Sequence, residues 1–321
     1  MLAFSRLKYL LKALPIAVAL GGLILPFTTA QGQDGIGTIA VKRYFLARIS
    51  ARCHLLDDGT IQALKAGYLQ SRNDALRAGS TMADLGPWLA KASAAADQAP
   101  CDAPQVTTEV GRAKGAFQRF MAVPKLDLPT PRSTWSADRS FGDQSSWRLV
   151  QYQNNASGDV ALGIYGRLDL NSFSVMAHFK DGSHPYSARI LVRNTDVVGI
   201  GLINPQPFGL TAQHPAGIDD SALSFLASNL SEASIVMQAP VRSNLAGFSL
   251  TGDYVGKQTP EDSLRFDFPT RAYIAIARLD PREDIVVEFE CQDGPRYARF
   301  EVGDFITGLT YVALPSPYGQ N

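Results

Sequence analysis

The sequence predicts an α+β fold, with an N-terminal antiparallel helical bundle followed by a mainly antiparallel β-sandwich, or two such sandwiches. Three observations carry this reading. Apolar residues recur at three- and four-residue steps up to about residue 122. A cluster of prolines, Pro124, Pro129 and Pro131, then interrupts the pattern. Beyond it, apolar and alternating runs of strand length follow one another between Gly, Asn and Asp turn signals, without regular alternation with helices. A hydrophobic content of 45% over 321 residues is enough for a substantial core.

The chain opens with Arg6, Lys8 and Lys12 and no acidic residue, followed by an apolar run from Ala13 to Phe27 and by Thr28-Thr29-Ala30. A positive start, an apolar core and small residues at the end make up a secretory signal peptide, with cleavage expected after Ala30. An uncleaved anchor is the alternative. The apolar run is shorter than the ~20 residues a spanning helix needs, so no stable transmembrane anchor is expected after cleavage. The remaining domains are read as a helical bundle over 31–123, a proline-rich linker over 124–134 and the sandwich over 135–321.

In the first helix, about 37–56, Ile39, Phe45, Leu46, Ile49, Cys53 and Leu56 form one stripe, with Arg43, Arg48 and Arg52 outside it. Asp57-Asp58-Gly59 reads as a break. Thr60 caps a second helix that runs to Ala78, with Ile61, Leu64 and Tyr68 on one face and Gly79 as its stop. Thr81 and Asp84 have capping-box spacing before a third helix containing Trp88 and Leu89, which Pro100 ends. Asp102, Pro104 and Gln105 open a fourth, whose stripe is Val106, Val110, Ala113, Phe117 and Met121. Each helix has one apolar face, and an antiparallel bundle covers all four.

Of the three cysteines, Cys53 lies at the end of the first helix and Cys101 just before the fourth. Antiparallel packing of those helices brings the two together, and an exported protein meets an oxidising compartment, so a Cys53–Cys101 disulfide is expected. It would stabilise the bundle by about 4 kcal/mol on chain entropy. Cys291 is left as a buried thiol in a strand.

After the linker, strands are expected at 147–152, 160–170, 174–179, 189–192, 197–203, 234–238, 247–254, 264–268, 272–278, 284–291, 297–302 and 306–313. One helix is expected, from Asp219 to Asn229, with Leu223, Leu226 and Leu230 on one side. A seam between two sandwiches would fall near 204–218.

Charge argues against a nucleic-acid partner. The whole chain carries 30 basic and 30 acidic side chains. Loss of Arg6, Lys8 and Lys12 with the signal leaves a mature chain of net −3. The Gly-x-Ser-x-Gly, His-Glu-x-x-His, Cys-x-x-Cys, P-loop and dinucleotide-binding patterns are all missing from the sequence, so no cofactor is implied.

Four groups of residues remain as candidates. Glu288 and Glu290 are two apart in a strand and share a face; alternation alone makes this a solvated strand face with acids outward, and the alternative is a glycosidase acid–base pair. Trp135, Trp147, Tyr152 and Tyr165 are ligand-binding candidates, either as a flat platform for sugar rings or as core packing. His178 and His184 with Asp181 form the weaker metal candidate, if a hairpin turns at Asp181-Gly182. Asn155 and Asn229 open N-glycosylation acceptor triplets.

The expectation is therefore an exported, periplasmic or extracellular, non-catalytic binding or scaffold protein of the cell envelope. Its partner would be a protein or an envelope component. The alternative is a carbohydrate-binding or glycoside-hydrolysing protein.

Overall fold

The computed structural model describes residues 35–140, 145–167, 170–197, 199, 209–215, 221–232, 236–239, 242–245, 248–251, 255–258 and 263–318. The expected signal peptide, most of the 197–203 strand and most of the 204–218 seam lie outside the described residues.

Four helices come first: α1 (Ile36–Cys53), α2 (Asp58–Arg77), α3 (Met82–Gln98) and α4 (Pro104–Ala122). Their ends follow local chemistry. Asp57 caps α2 by accepting from the Thr60 backbone N–H at 2.8 Å, so Asp57-Asp58-Gly59 starts the helix instead of breaking the pattern. Thr81 and Asp84 form a reciprocal capping box at the start of α3, the Thr81 N–H donating to Asp84 at 2.9 Å. Pro104 opens α4 after Ala103, with no side-chain cap from Asp102. The Cys53–Cys101 disulfide joins the end of α1 to the start of α4.

The sheets follow. The strands are β1 (Lys125–Pro129), β2 (Thr134–Asp138), β3 (Ser146–Asn155), β4 (Gly158–Arg167), β5 (Leu170–Phe179), β6 (Ser187–Val192), β7 (Gly209–Thr211), β8 (Leu223–Leu226), β9 (Asn229–Glu232), β10 (Val236–Ala239), β11 (Arg242–Leu245), β12 (Phe248–Thr251), β13 (Val255–Gln258), β14 (Leu264–Phe268), β15 (Asp284–Glu290) and β16 (Arg296–Glu301). Helix α5 (Thr270–Ile276) precedes β15, and α6 (Phe305–Val312) follows β16.

Among the described residues, the larger sheet has nine strands in the order β11-β12-β1-β2-β3-β4-β5-β14-β9. The smaller has five, in the order β7-β16-β15-β6-β8, and β10 pairs with β13. Every pairing is antiparallel. The two sheets meet face to face through Phe289, whose ring lies 5.3 Å from Phe179 and 5.7 Å from Phe266.

Four expectations are corrected. The 124–134 stretch is extended, as proline requires, but it is no free linker: Lys125–Pro129 pairs with Thr134–Asp138 inside the larger sheet. The runs read as strands at 272–278 and 306–313 are α5 and α6. Both are short and rich in apolar residues, and over seven or eight residues periodicity does not separate a helix from a strand. The helix expected from Asp219 to Asn229 is replaced by β8 and β9. There Phe225 faces the core between exposed Ser224 and Leu226, a period of two.

Helices and sheets share one hydrophobic core. Helix α6 joins them, its Tyr311 ring 5.2 Å from Phe120 of α4 and its Phe305 ring 5.1 Å from Trp135 of β2. Gly308 allows the approach: a Cβ there would sit 2.4 Å from Leu149 Cδ1 of β3. Buried Arg139 donates to the backbone carbonyls of Phe120 and Met121 at the end of α4, where a cation meets the unsatisfied carbonyls of the last turn.

Candidate functional site

The face of the larger sheet turned away from the smaller one carries a second apolar cluster, separate from the main core. Ala161 of β4 and Met176 of β5 are its buried floor, and Trp147, Val150, Tyr152 and Tyr165 pack against them half-exposed. Alternation builds it. Leu149, Leu162, Val175 and Phe266 point into the core, so their strand neighbours point out.

A register shift between Trp147 and Leu149 re-aims Trp147 toward Tyr165 on β4. Gly163 makes room for the bulge, since a Cβ there would fall 1.8 Å from the Leu149 carbonyl oxygen. The Trp147 and Tyr165 rings lie 5.1 Å apart at 68°, so they form a corner, not the flat platform expected for a sugar ring. The Arg265 guanidinium of β14 stands 4.9 Å over the Tyr165 ring.

Polar groups rim the cluster. The Tyr152 hydroxyl donates to Asp159 at 3.0 Å. Burial and that carboxylate raise the Tyr152 pKa, which keeps the phenol protonated. Asp267 accepts from Ser174 at 2.6 Å, from Arg265 at 2.8 Å and from Asn229 at 3.2 Å. Arg265 and Met176 were not singled out from the sequence. The signal for Arg265 was available, since it alternates with the buried Phe266 in a short strand.

Trp135, the fourth aromatic candidate, is elsewhere. It is fully buried and its indole N–H donates to the carbonyls of Glu301 and Val302 at 3.0 and 3.1 Å, so it takes the packing role.

Glu288 and Glu290 do share a face, on the outer side of the smaller sheet, while Val287 and Phe289 point into the core. Arg189 lies directly across from Glu288 on β6 and donates to Glu288 Oε1 from Nε at 3.0 Å. Its Nη2 is 3.7 Å from Glu290 Oε1. The two carboxylates thus share one guanidinium, and the Glu288 hydrogen bond raises the pKa of Arg189. This pairing ties the carboxylates into the sheet, away from the aromatic cluster.

His178 and His184 are not brought together across a hairpin, because β5 and β6 belong to different sheets and the turn at Asp181-Gly182 crosses between them. His178 faces Asp159 on β4, and Asp181 is held by Arg296 Nε at 3.3 Å. Among the described residues no group of three His, Cys, Asp or Glu side chains is placed to hold a metal ion. Cys291 is buried just past the end of β15, and burial pushes its thiol pKa up, away from reactivity. The Asn155 amide donates to the Leu210 carbonyl at 2.8 Å and its oxygen accepts from the Ser157 and Gly158 backbones, so this acceptor triplet is folded into the β3–β4 turn.

Comparison with protein-family models, with curated proteins and with solved structures finds no match to this chain.

Proposed function

We propose that this is an exported, non-catalytic binding protein of the cell envelope, and that it recognises a protein partner through the outer face of the larger sheet. One observation carries the reading: Trp147, Tyr152, Tyr165 and Arg265 converge, half-exposed, around a buried apolar floor. Trp, Tyr and Arg dominate the energetics of protein interfaces, because each joins a large apolar surface to a polar tip. The patch offers rings and a guanidinium for contact above the buried Met176, and its carboxylates are engaged with neighbours. Export is supported by the signal-like first thirty residues and by the Cys53–Cys101 disulfide. No helix among the described residues is long and apolar enough to cross a membrane.

Affinity capture from envelope extract, with the wild type beside Trp147→Ala and Arg265→Ala, tests the proposal. A protein retained by the wild type and lost from both variants is the expected result. Equal retention by all three would move the interface elsewhere. Carbohydrate recognition is the second reading, favoured by three aromatics on one sheet face and opposed by the 68° angle between Trp147 and Tyr165. A thermal shift with envelope glycans that Trp147→Ala abolishes would select it.

A further inference from the structure

A cleft of about 550 Å³ opens on the helical bundle between α1, α2 and the end of α3. This is within the size range of small-ligand sites. Ala47 and Ala51, one turn apart on α1, leave the space, and Leu69 of α2 closes its floor. Tyr44 and Tyr68 form one wall, with ring centroids 5.2 Å apart.

The rim is cationic. Arg48 is clamped to Asp97 by two hydrogen bonds of 3.0 and 2.9 Å, and Arg52 donates to the Ala96 carbonyl at 3.0 Å, capping α3. Lys65 is exposed at the mouth and makes no hydrogen bond or ion pair with any described residue. Three cations against one carboxylate leave the mouth of an apolar cleft positively charged.

We infer that this cleft binds an amphipathic anion, an alkyl carboxylate whose chain lies along Ala47 and Ala51 and whose head group meets Lys65. The charge of the rim selects an anion, and the narrow space left by Ala47 and Ala51 selects a slender apolar body. Neither feature involves the outer face of the larger sheet, so this inference stands or falls separately from the protein-binding surface.

Titration calorimetry with dodecanoate, kept below its micelle concentration, tests it. Dodecan-1-ol is the uncharged comparison, and the wild type is set beside Lys65→Ala and Ala51→Phe. Ala51 is exposed at the cleft, so Ala51→Phe fills it without a core change, and an unaltered circular dichroism melt checks the fold.

The expected result is one site per chain for dodecanoate, about two- to fivefold weaker binding in Lys65→Ala, and none in Ala51→Phe. Equal binding of dodecanoate and dodecan-1-ol, with no effect of Lys65→Ala, would overturn the anion assignment. Unchanged binding in a folded Ala51→Phe would overturn the location. An absence of binding by the wild type would overturn the inference outright.

Discussion

Asp304 shows how much one residue's surroundings decide. It lies just before α6 and is about 1% exposed. Arg77 of α2 donates to it at 2.8 Å, Asn73 at 2.9 Å and Thr307 at 3.2 Å. Burial nevertheless raises its pKa, with Arg77 and Asn73 opposing the shift and Asp74 adding to it. A carboxyl with a raised folded pKa holds its proton more tightly folded than unfolded. Its contribution is therefore full below the ordinary Asp range, near pH 4, and is lost as pH rises toward the folded value. The wild type should therefore lose a component of its stability over that window. Asp304→Asn should lack that component, and thermal melts from pH 4 to 7 on both proteins check it. Equal pH profiles would show that Asp304 titrates normally. In sequence Asp304 is an ordinary loop acid, since Asn73 and Arg77 come from more than 200 positions away.

At the scale of elements, the four N-terminal helices are the most legible in the sequence. The stripes of α1 and α4, and the Thr81–Asp84 capping box, are local patterns, and Cys53 and Cys101 added a long-range constraint that agreed with them. The disulfide spans 48 positions, and reducing it should cost about 4 kcal/mol by chain entropy. The expected outcome is a melting temperature lower by roughly 10 °C, read as helical ellipticity with and without reductant. A change of less than a degree would mean that packing alone holds the bundle.

Helix α6 reads as a strand because its short run is apolar or small on nearly every side. Phe305, Thr307, Gly308 and Tyr311 of α6 are all buried, so that helix has no polar face to mark its turn. The aromatic candidates divided for a related reason: Trp135 and Trp147 both sit in aromatic, strand-forming contexts, and only the sheet face separates core from surface.

At the scale of the molecule, the longest-range feature is a nested set of pairings. Strand β9 pairs with β14, β10 with β13 and β11 with β12, the order of a single long hairpin. Its base is anchored beside β5 through β14, and its far end pairs with β1 through β12, at the other side of the same sheet. The hairpin therefore covers the edge of β1, which would otherwise present unpaired backbone groups to other chains. Replacing residues 242–251 by a two-residue Asn-Gly turn should uncover that edge. Concentration-dependent association in sedimentation velocity is the expected result, and a variant that stays monomeric at all concentrations would show that β1 needs no cover.

Periodicity, capping residues and turn signals act over a few positions, and those features determined the four N-terminal helices, the end of the helical region at Pro124, many of the strand positions and the cysteine pair. Which sheet each strand joins depended on contacts between distant residues. The split of β5 from β6 separated His178 from His184, the pairing of β6 with β15 placed Arg189 against Glu288, and the register of β3, β4, β5 and β14 gathered Trp147, Tyr165, Met176 and Arg265. Local energetics decide an element's type and which way its residues alternate. Only the closing of long loops by a shared core decides which faces meet, so the candidate binding surfaces belong to the tertiary structure.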